Sequence, residues 1–209
     1  MGSKERKARE KDQRRKAILD ATRNLLLKKG IANISIRKIA ELAELGLGTI
    51  YSYFSSKEEI FAALSEEVFD LVFEKVSEAA ASAGGPAERI RAIAGAFIDF
   101  NKNHTSYYDF LDFFISTPQI IFPPEIKSRI DRNGDRLLDP VIAAIEDGVR
   151  EKKFNCPDPR KKALIFIGTL HGLMHFKKMR NTLLKAGELE ELFDAAVESF
   201  IFSLSNKAG

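Results

Sequence analysis

The sequence predicts an all-α protein of about nine helices, in which three short helices form an N-terminal helix-turn-helix head and a larger helical bundle follows. Three observations predict it. Apolar residues recur at helical spacing along most of the 209 residues. Alternating β-branched runs, the mark of half-buried strands, are missing. Glycine and proline clusters divide the chain into segments of helix length.

Taken in order, Ile18, Leu19, Thr22, Leu25 and Leu26 line one face of a first helix that Gly30 ends, with Lys28 and Lys29 in its last turn, where cations favour the helix dipole. Ser35 is the expected N-cap of a second helix running to Ala43, with Ile36, Ile39, Ala40 and Ala43 as its inner stripe. A very short third helix fits Leu47–Tyr53, and Ser55 or Ser56 caps a long fourth, with Glu58 and Glu59 in its first turn. The string ASAGGPAER, 81–89, stops that helix and starts the next. Helices are expected over 87–102 and 104–116, and TPQIIFPPE, 117–125, breaks the pattern. From Glu125 to about Lys152 the pattern is helical, with Pro140 marking a kink or a division into two helices. A helix from Pro159 to about Arg180 and a last one over 188–205, preceded by Gly187, complete the chain.

Composition narrows the function classes. Hydrophobic residues make up 44% and charged residues 30%, as in an ordinary globular protein. No apolar run approaches the roughly 18 residues of a membrane span, and no apolar stretch follows the basic N-terminus, so neither a membrane partner nor a secretory signal is expected. Cys156 is the single cysteine, which excludes an internal disulfide and a multi-cysteine metal site and fits a reducing cytoplasm. Charge is unevenly placed. Residues 1–60 hold 14 Lys/Arg against 8 Asp/Glu, a net of +6, while the remainder holds 19 against 22, a net of −3. A basic front on a mildly acidic body predicts that the front meets a polyanion.

The stretch LGLGTIYSYFSSKEEIF, 45–61, sets large phenols among residues too small and polar for a core helix. Two short helices joined by a tight turn, braced by a preceding helix, form a helix-turn-helix, whose second helix enters the DNA major groove. On that reading Gly48 and Thr49 are small so that the backbone can lie close to phosphate and base edges. Ile50 and Phe54 face inward, leaving Tyr51, Ser52 and Tyr53 outside. Lys57, at the start of the next helix, meets a phosphate together with the free N–H groups there.

The longer string SIRKIAELAELGLGTIYSYFSSKEEIF, 35–61, resembles the N-terminal signature of TetR-family transcriptional repressors, on Ile39-Ala40, Gly48-Thr49-Ile50-Tyr51, Tyr53-Phe54 and Lys57-Glu58-Glu59. The local match covers about 45 residues, from roughly Lys16 to Phe61. Position by position, the resemblance implies phosphate contacts from Ser35, Tyr53 and Lys57 and groove contacts from Arg37, Leu47, Gly48, Thr49, Tyr51 and Ser52. It implies a basic flexible arm over 1–13, a DNA-binding domain over 14–60 and a ligand-binding and dimerisation domain over 61–209, the fourth helix acting as a lever. Two positions depart from the family pattern: Glu44 stands where a turn glycine is usual, and Gly46 where a serine is usual. Glutamate tolerates positive φ poorly, so the bend is expected at Gly46 instead.

The back half carries weaker signals. The helices around 164–174 and 192–204 are unusually apolar, and with the resemblance they imply a homodimer interface through Ile167, Gly168, Leu170, Met174, Phe193 and Phe200. Eight aromatics crowd 97–122, more than one packed helix face needs. Of these, Phe97, Phe100, Tyr107, Tyr108, Phe110, Phe113 and Phe114, with His171 and His175, are the expected lining of a site for a hydrophobic small-molecule effector. An acyl chain, a flat aromatic and a lipophilic cation balanced by Asp99, Asp109 or Asp112 all satisfy this composition. His171 and His175 have the four-residue spacing of a helical metal pair, but no zincin glutamate and no evident third ligand, so no metal and no cofactor is expected. No nucleophile–base pair or phosphate loop is visible, which argues against an enzyme. The expected function is a ligand-responsive, homodimeric repressor on a palindromic double-stranded operator in the cytoplasm. A helical adaptor whose head does not bind DNA is the alternative.

Overall fold

The computed structural model describes residues 3–116, 122–176, 185 and 187–205. Among them are ten α-helices and no strand: α1 (Ser3–Lys29), α2 (Ile36–Leu42), α3 (Leu47–Tyr53), α4 (Lys57–Ala81), α5 (Pro86–Asn103), α6 (Thr105–Ser116), α7 (Pro124–Asp135), α8 (Asp139–Arg150), α9 (Pro159–His175) and α10 (Glu188–Ser205). The all-α expectation holds. The tenth helix arises at Pro140, which does not kink a continuous helix but sits in the first turn of α8, where its missing N–H costs no intrahelical bond. The end expected for α9 near Arg180, most of the 117–125 break and the C-terminus beyond Ser205 lie outside the described residues.

The chain forms two compact units. The first comprises Met1–Leu71 with Asn101–Asn133, the second Val72–Phe100 with Gly134–Gly209. These units do not follow the boundary read at residues 60 and 61. The expected flexible arm also differs: from Ser3 it is helical, the exposed beginning of α1. Eight of residues 3–12 are charged, and such a polar stretch shows no apolar stripe from which a helix is legible.

In the first unit, α1 packs on α2 and α6, and α2 packs on α3. Ile18, Leu26, Ile39, Ile50, Ile60 and Leu64 are almost wholly buried there, each contributing roughly 1.5–3 kcal/mol of transfer free energy. Phe61 meets Phe110 edge-on, with ring centroids 5.9 Å apart. Arg23 on α1 forms ion pairs with Asp20 and with Glu67 of α4, and Arg129 on α7 donates to Glu66 of α4 at 2.7 Å.

In the second unit, α9 packs on α8 and α10. Phe166 stacks on Phe200 at 4.4 Å, and Arg91 of α5 grips Glu198 of α10 through two nitrogens at 2.6 and 2.8 Å. Those hydrogen bonds hold the Glu198 carboxyl below its usual range. Buried Gly148 lets the Phe154 ring lie across α8, for a Cβ at that position would sit 2.0 Å from the ring. The N–H of Asn155 then donates to the carbonyl of Leu204, tying the loop to the end of α10 at 2.7 Å.

Candidate nucleic-acid interface

The site is built from α2, α3 and the first turn of α4, all in the first unit. Ser35 is extended, with φ −134° and ψ 153°, and its hydroxyl accepts from the Lys38 N–H at 3.3 Å, capping α2 as its sequence position implied. At the other end, the Leu45 N–H donates to the Ala40 carbonyl at 3.0 Å and the Glu44 N–H to the Glu41 carbonyl at 3.3 Å. These two bonds make a Schellman ending, and Glu44 occupies its left-handed position with φ 54°. The expected role of Gly46 is therefore corrected. Gly46 has φ −67° and ψ 149° and serves as the N-cap of α3 without a side-chain bond. The bend falls at Glu44 because the paired bonds that close α2 require a left-handed residue directly after its C-cap, whichever side chain is there.

On α3 the division of faces agrees with the sequence. Ile50 and Phe54 are 0% and 3% exposed, and Tyr51 is 54% and Leu47 44% exposed. Gly48 and Ser52 also face solvent, while Thr49 and Tyr53 are half-buried. Ser52 donates its hydroxyl back to the Thr49 carbonyl at 2.7 Å. A Cβ built on Gly48 would meet nothing within 4 Å, so no neighbour in the chain requires glycine there. Arg37 and Lys38 are exposed on α2, and Lys38 donates to the Asn33 carbonyl at 2.9 Å.

Ser56, rather than Ser55, caps α4: its hydroxyl accepts from the Glu59 N–H at 3.2 Å, and the Glu59 carboxylate returns to accept from the Ser55 N–H at 2.8 Å. Lys57 opens the helix with its ammonium 5.4 Å from the Phe61 ring centre. Arg15 on α1 has its guanidinium 4.7 Å from the Phe54 ring centre and so belongs to the packing of the head. That contact joins α1 to the residue following α3, a distance in sequence that local patterning does not bridge.

A family profile described as "Bacterial regulatory proteins, tetR family" matches residues 18–64, the stretch just built. Residues 18–64 form a TetR-family head. The HTH-type transcriptional repressor KstR of Mycolicibacterium smegmatis is 35% identical over 83 residues, which cover 40% of this chain and 41% of KstR. The HTH-type regulator YhgD of Bacillus subtilis is 26% identical over 160 residues, 74% of this chain and 78% of YhgD. The fold of the transcriptional regulator FadR of Bacillus subtilis, solved in complex with stearoyl-CoA, superposes with a TM-score of 0.70 at 19% identity, covering 90% of this chain and 98% of FadR.

Beyond the TetR head, the residues expected to line an effector site fall in both units and are described unit by unit. In the first, Phe110 is fully buried against Phe61. Tyr107 stacks on His104 with centroids 5.9 Å apart, and Phe113 meets Phe122 edge-on at 6.3 Å. Tyr108 is 7% exposed, and burial, with Asp112 and Asp109 adding to it, pushes its phenol well above the usual range, so it stays a neutral hydroxyl. The Phe114 side chain lies outside the described residues. Phe110 lines a small cavity of about 100 Å³ with Leu26, Leu27, Gly30, Ile31 and Asp109. In the second unit Phe97 is half-buried and Phe100 buried. His171 and His175 are half-buried, with their Nε2 atoms 3.3 Å apart. An open groove of about 440 Å³ lies between Phe73, Ser77, Arg89, Asp139, Pro140 and Ala144, and none of the residues expected from the sequence lines it.

The residues expected at a dimer interface are mostly covered within the single chain. Leu170, Met174, Phe193 and Phe200 are 0–8% exposed within the single chain and form the second unit's own core. Ile167 is half-buried, and only Gly168 of the set faces solvent. The exposed apolar residues of the same helices are Leu164 and Ile165 on α9 and Leu192 and Phe202 on α10, with Phe202 65% exposed. On helices apolar along two faces, spacing alone does not say which face turns inward.

Proposed function

We propose that this protein is a homodimeric, ligand-responsive transcriptional repressor that leaves a palindromic DNA operator when a hydrophobic small molecule binds. The observation that carries the reading is the outward face of α3, where Leu47, Gly48, Tyr51 and Ser52 are exposed on a helix whose other side is locked by Ile50 and Phe54. A tyrosine hydroxyl bonds phosphate, its ring packs on sugar or a thymine methyl, and Gly48 lets the duplex approach. Ser35, Arg37, Thr49, Tyr53 and Lys57 surround that face in chain order, and we assign them to the contacts the family resemblance implies.

The apolar strip of Leu164, Ile165 and Gly168 on α9 with Leu192 and Phe202 on α10 supports a second copy as the partner. Two copies related by a twofold axis would form a four-helix interface. Two heads then read half-sites roughly 34–36 Å apart. The named repressor activity of KstR and the stearoyl-CoA held by FadR support repression and a lipophilic effector. Effector and operator oppose each other by linkage, each weakening the other by the same factor.

Selection from a randomised duplex pool with the full chain tests the reading. A palindrome is expected, and stearoyl-CoA is the first effector probe, read as release of the selected duplex. Recovery of unrelated duplexes only would overturn the repressor reading in favour of the adaptor.

A further inference from the structure

We propose that His171 and His175 form a binding site for a divalent transition-metal ion of the zinc type, independent of the function assigned to the head. The two rings project from successive turns of α9, and their Nε2 atoms face each other at 3.3 Å with the ring planes 82° apart. Two imidazole nitrogens bound to one tetrahedral zinc at about 2.0–2.1 Å stand about 3.3–3.4 Å apart. The observed separation is that distance. A ring proton shared between the two nitrogens spans the same gap, so a bound metal ion would take the place of that proton.

The helix supplies the preorganisation. Leu170 and Met174, each one residue before a histidine, are 0% and 2% exposed and lock α9 in place, while both histidines stay half-buried and reachable from solvent. Imidazole pairs favour Zn²⁺, Ni²⁺, Co²⁺ and Cu²⁺ over Mg²⁺ or Ca²⁺, which take oxygen donors. Cys156, in a different part of the second unit, is buried and is not needed.

The full chain, stripped of metal with a chelator, is titrated with Zn²⁺ and, in parallel, with Co²⁺. One ion per chain is expected, with an intense visible Co²⁺ absorption of tetrahedral type and without the near-ultraviolet band of a thiolate ligand. The chain has three histidines, so an imidazole nitrogen NMR spectrum of the unaltered protein should show two resonances shifting with Zn²⁺ and one, from His104, unmoved. His171→Gln and His175→Gln should each weaken binding by at least about tenfold, while His104→Gln leaves it unchanged. The proposal is overturned by a flat titration, by an affinity the two substitutions do not alter, or by a thiolate band. The NMR titration needs no substitution, so a variant that failed to fold would not shield the proposal. Duplex selection reads the head and is not affected by either result.

Discussion

At the residue scale, Tyr51 and Glu44 make opposite demands on the chain. Tyr51 is more than half exposed and contributes little to the fold. Tyr51→Ala should leave the melting temperature and oligomeric state unchanged and weaken the selected duplex by about 1–3 kcal/mol relative to random DNA. An unaltered preference for the selected duplex in a competition titration would displace α3 from the recognition role. Lys57→Ala should weaken all duplexes about equally and flatten the slope of log affinity against log salt by about one unit. Glu44 holds φ 54° without the freedom of glycine. Glu44→Gly should therefore raise stability in urea unfolding by about 0.5–1 kcal/mol, since relief of left-handed strain exceeds the added chain entropy of glycine. The family's usual glycine was a sequence-level clue to this position. That Glu44 itself takes the bend was not legible, because side-chain preference is weak against two backbone hydrogen bonds.

Among the elements, two helical glycines separate a demand made inside the chain from one made outside it. Gly48 in α3 has open space where a Cβ would go, and Gly148 in α8 has the Phe154 ring there. Gly48→Ala should keep or raise stability, by up to about 1 kcal/mol from helix propensity, and weaken duplex binding. Gly148→Ala should destabilise by about 1–3 kcal/mol in spite of the same propensity gain, because the ring must move. Calorimetric melting of the two variants checks the signs, and a stability loss at Gly48 would show that its smallness serves the fold rather than a partner. Capping is local: Ser35, Ser56 and Asp158 each accept an N–H three residues on, and of these the sequence named Ser35 outright and Ser56 as one of two candidates. Local signals of this kind survive because donor and acceptor lie within one turn of chain.

For the whole molecule, the exposed strip on α9 and α10 is where association is expected. Phe202→Glu should convert a dimer to a monomer in sedimentation velocity and reduce operator affinity, since one head then binds without the other's contribution. Persistence of the dimer would place the interface elsewhere. The buried set Leu170, Met174, Phe193 and Phe200 is unsuited to this test, since truncating any of them removes core and costs about 2–5 kcal/mol of stability before association is considered.

Helical periodicity, Ser35 as a cap, the breaks at Gly30 and 84–86, and the sequence of α3 were each determined by neighbours within a few residues, so the sequence by itself specified an all-α chain with a helix-turn-helix head. Other features arose only when distant segments packed. They include the cation–π contact of Arg15 with Phe54 and the face of α9 turned inward. Hydrogen-bonded turns are short-range and leave their mark on adjacent residues. Burial depends on which faces meet, and an apolar residue looks the same in sequence whether it fills its own core or awaits a partner.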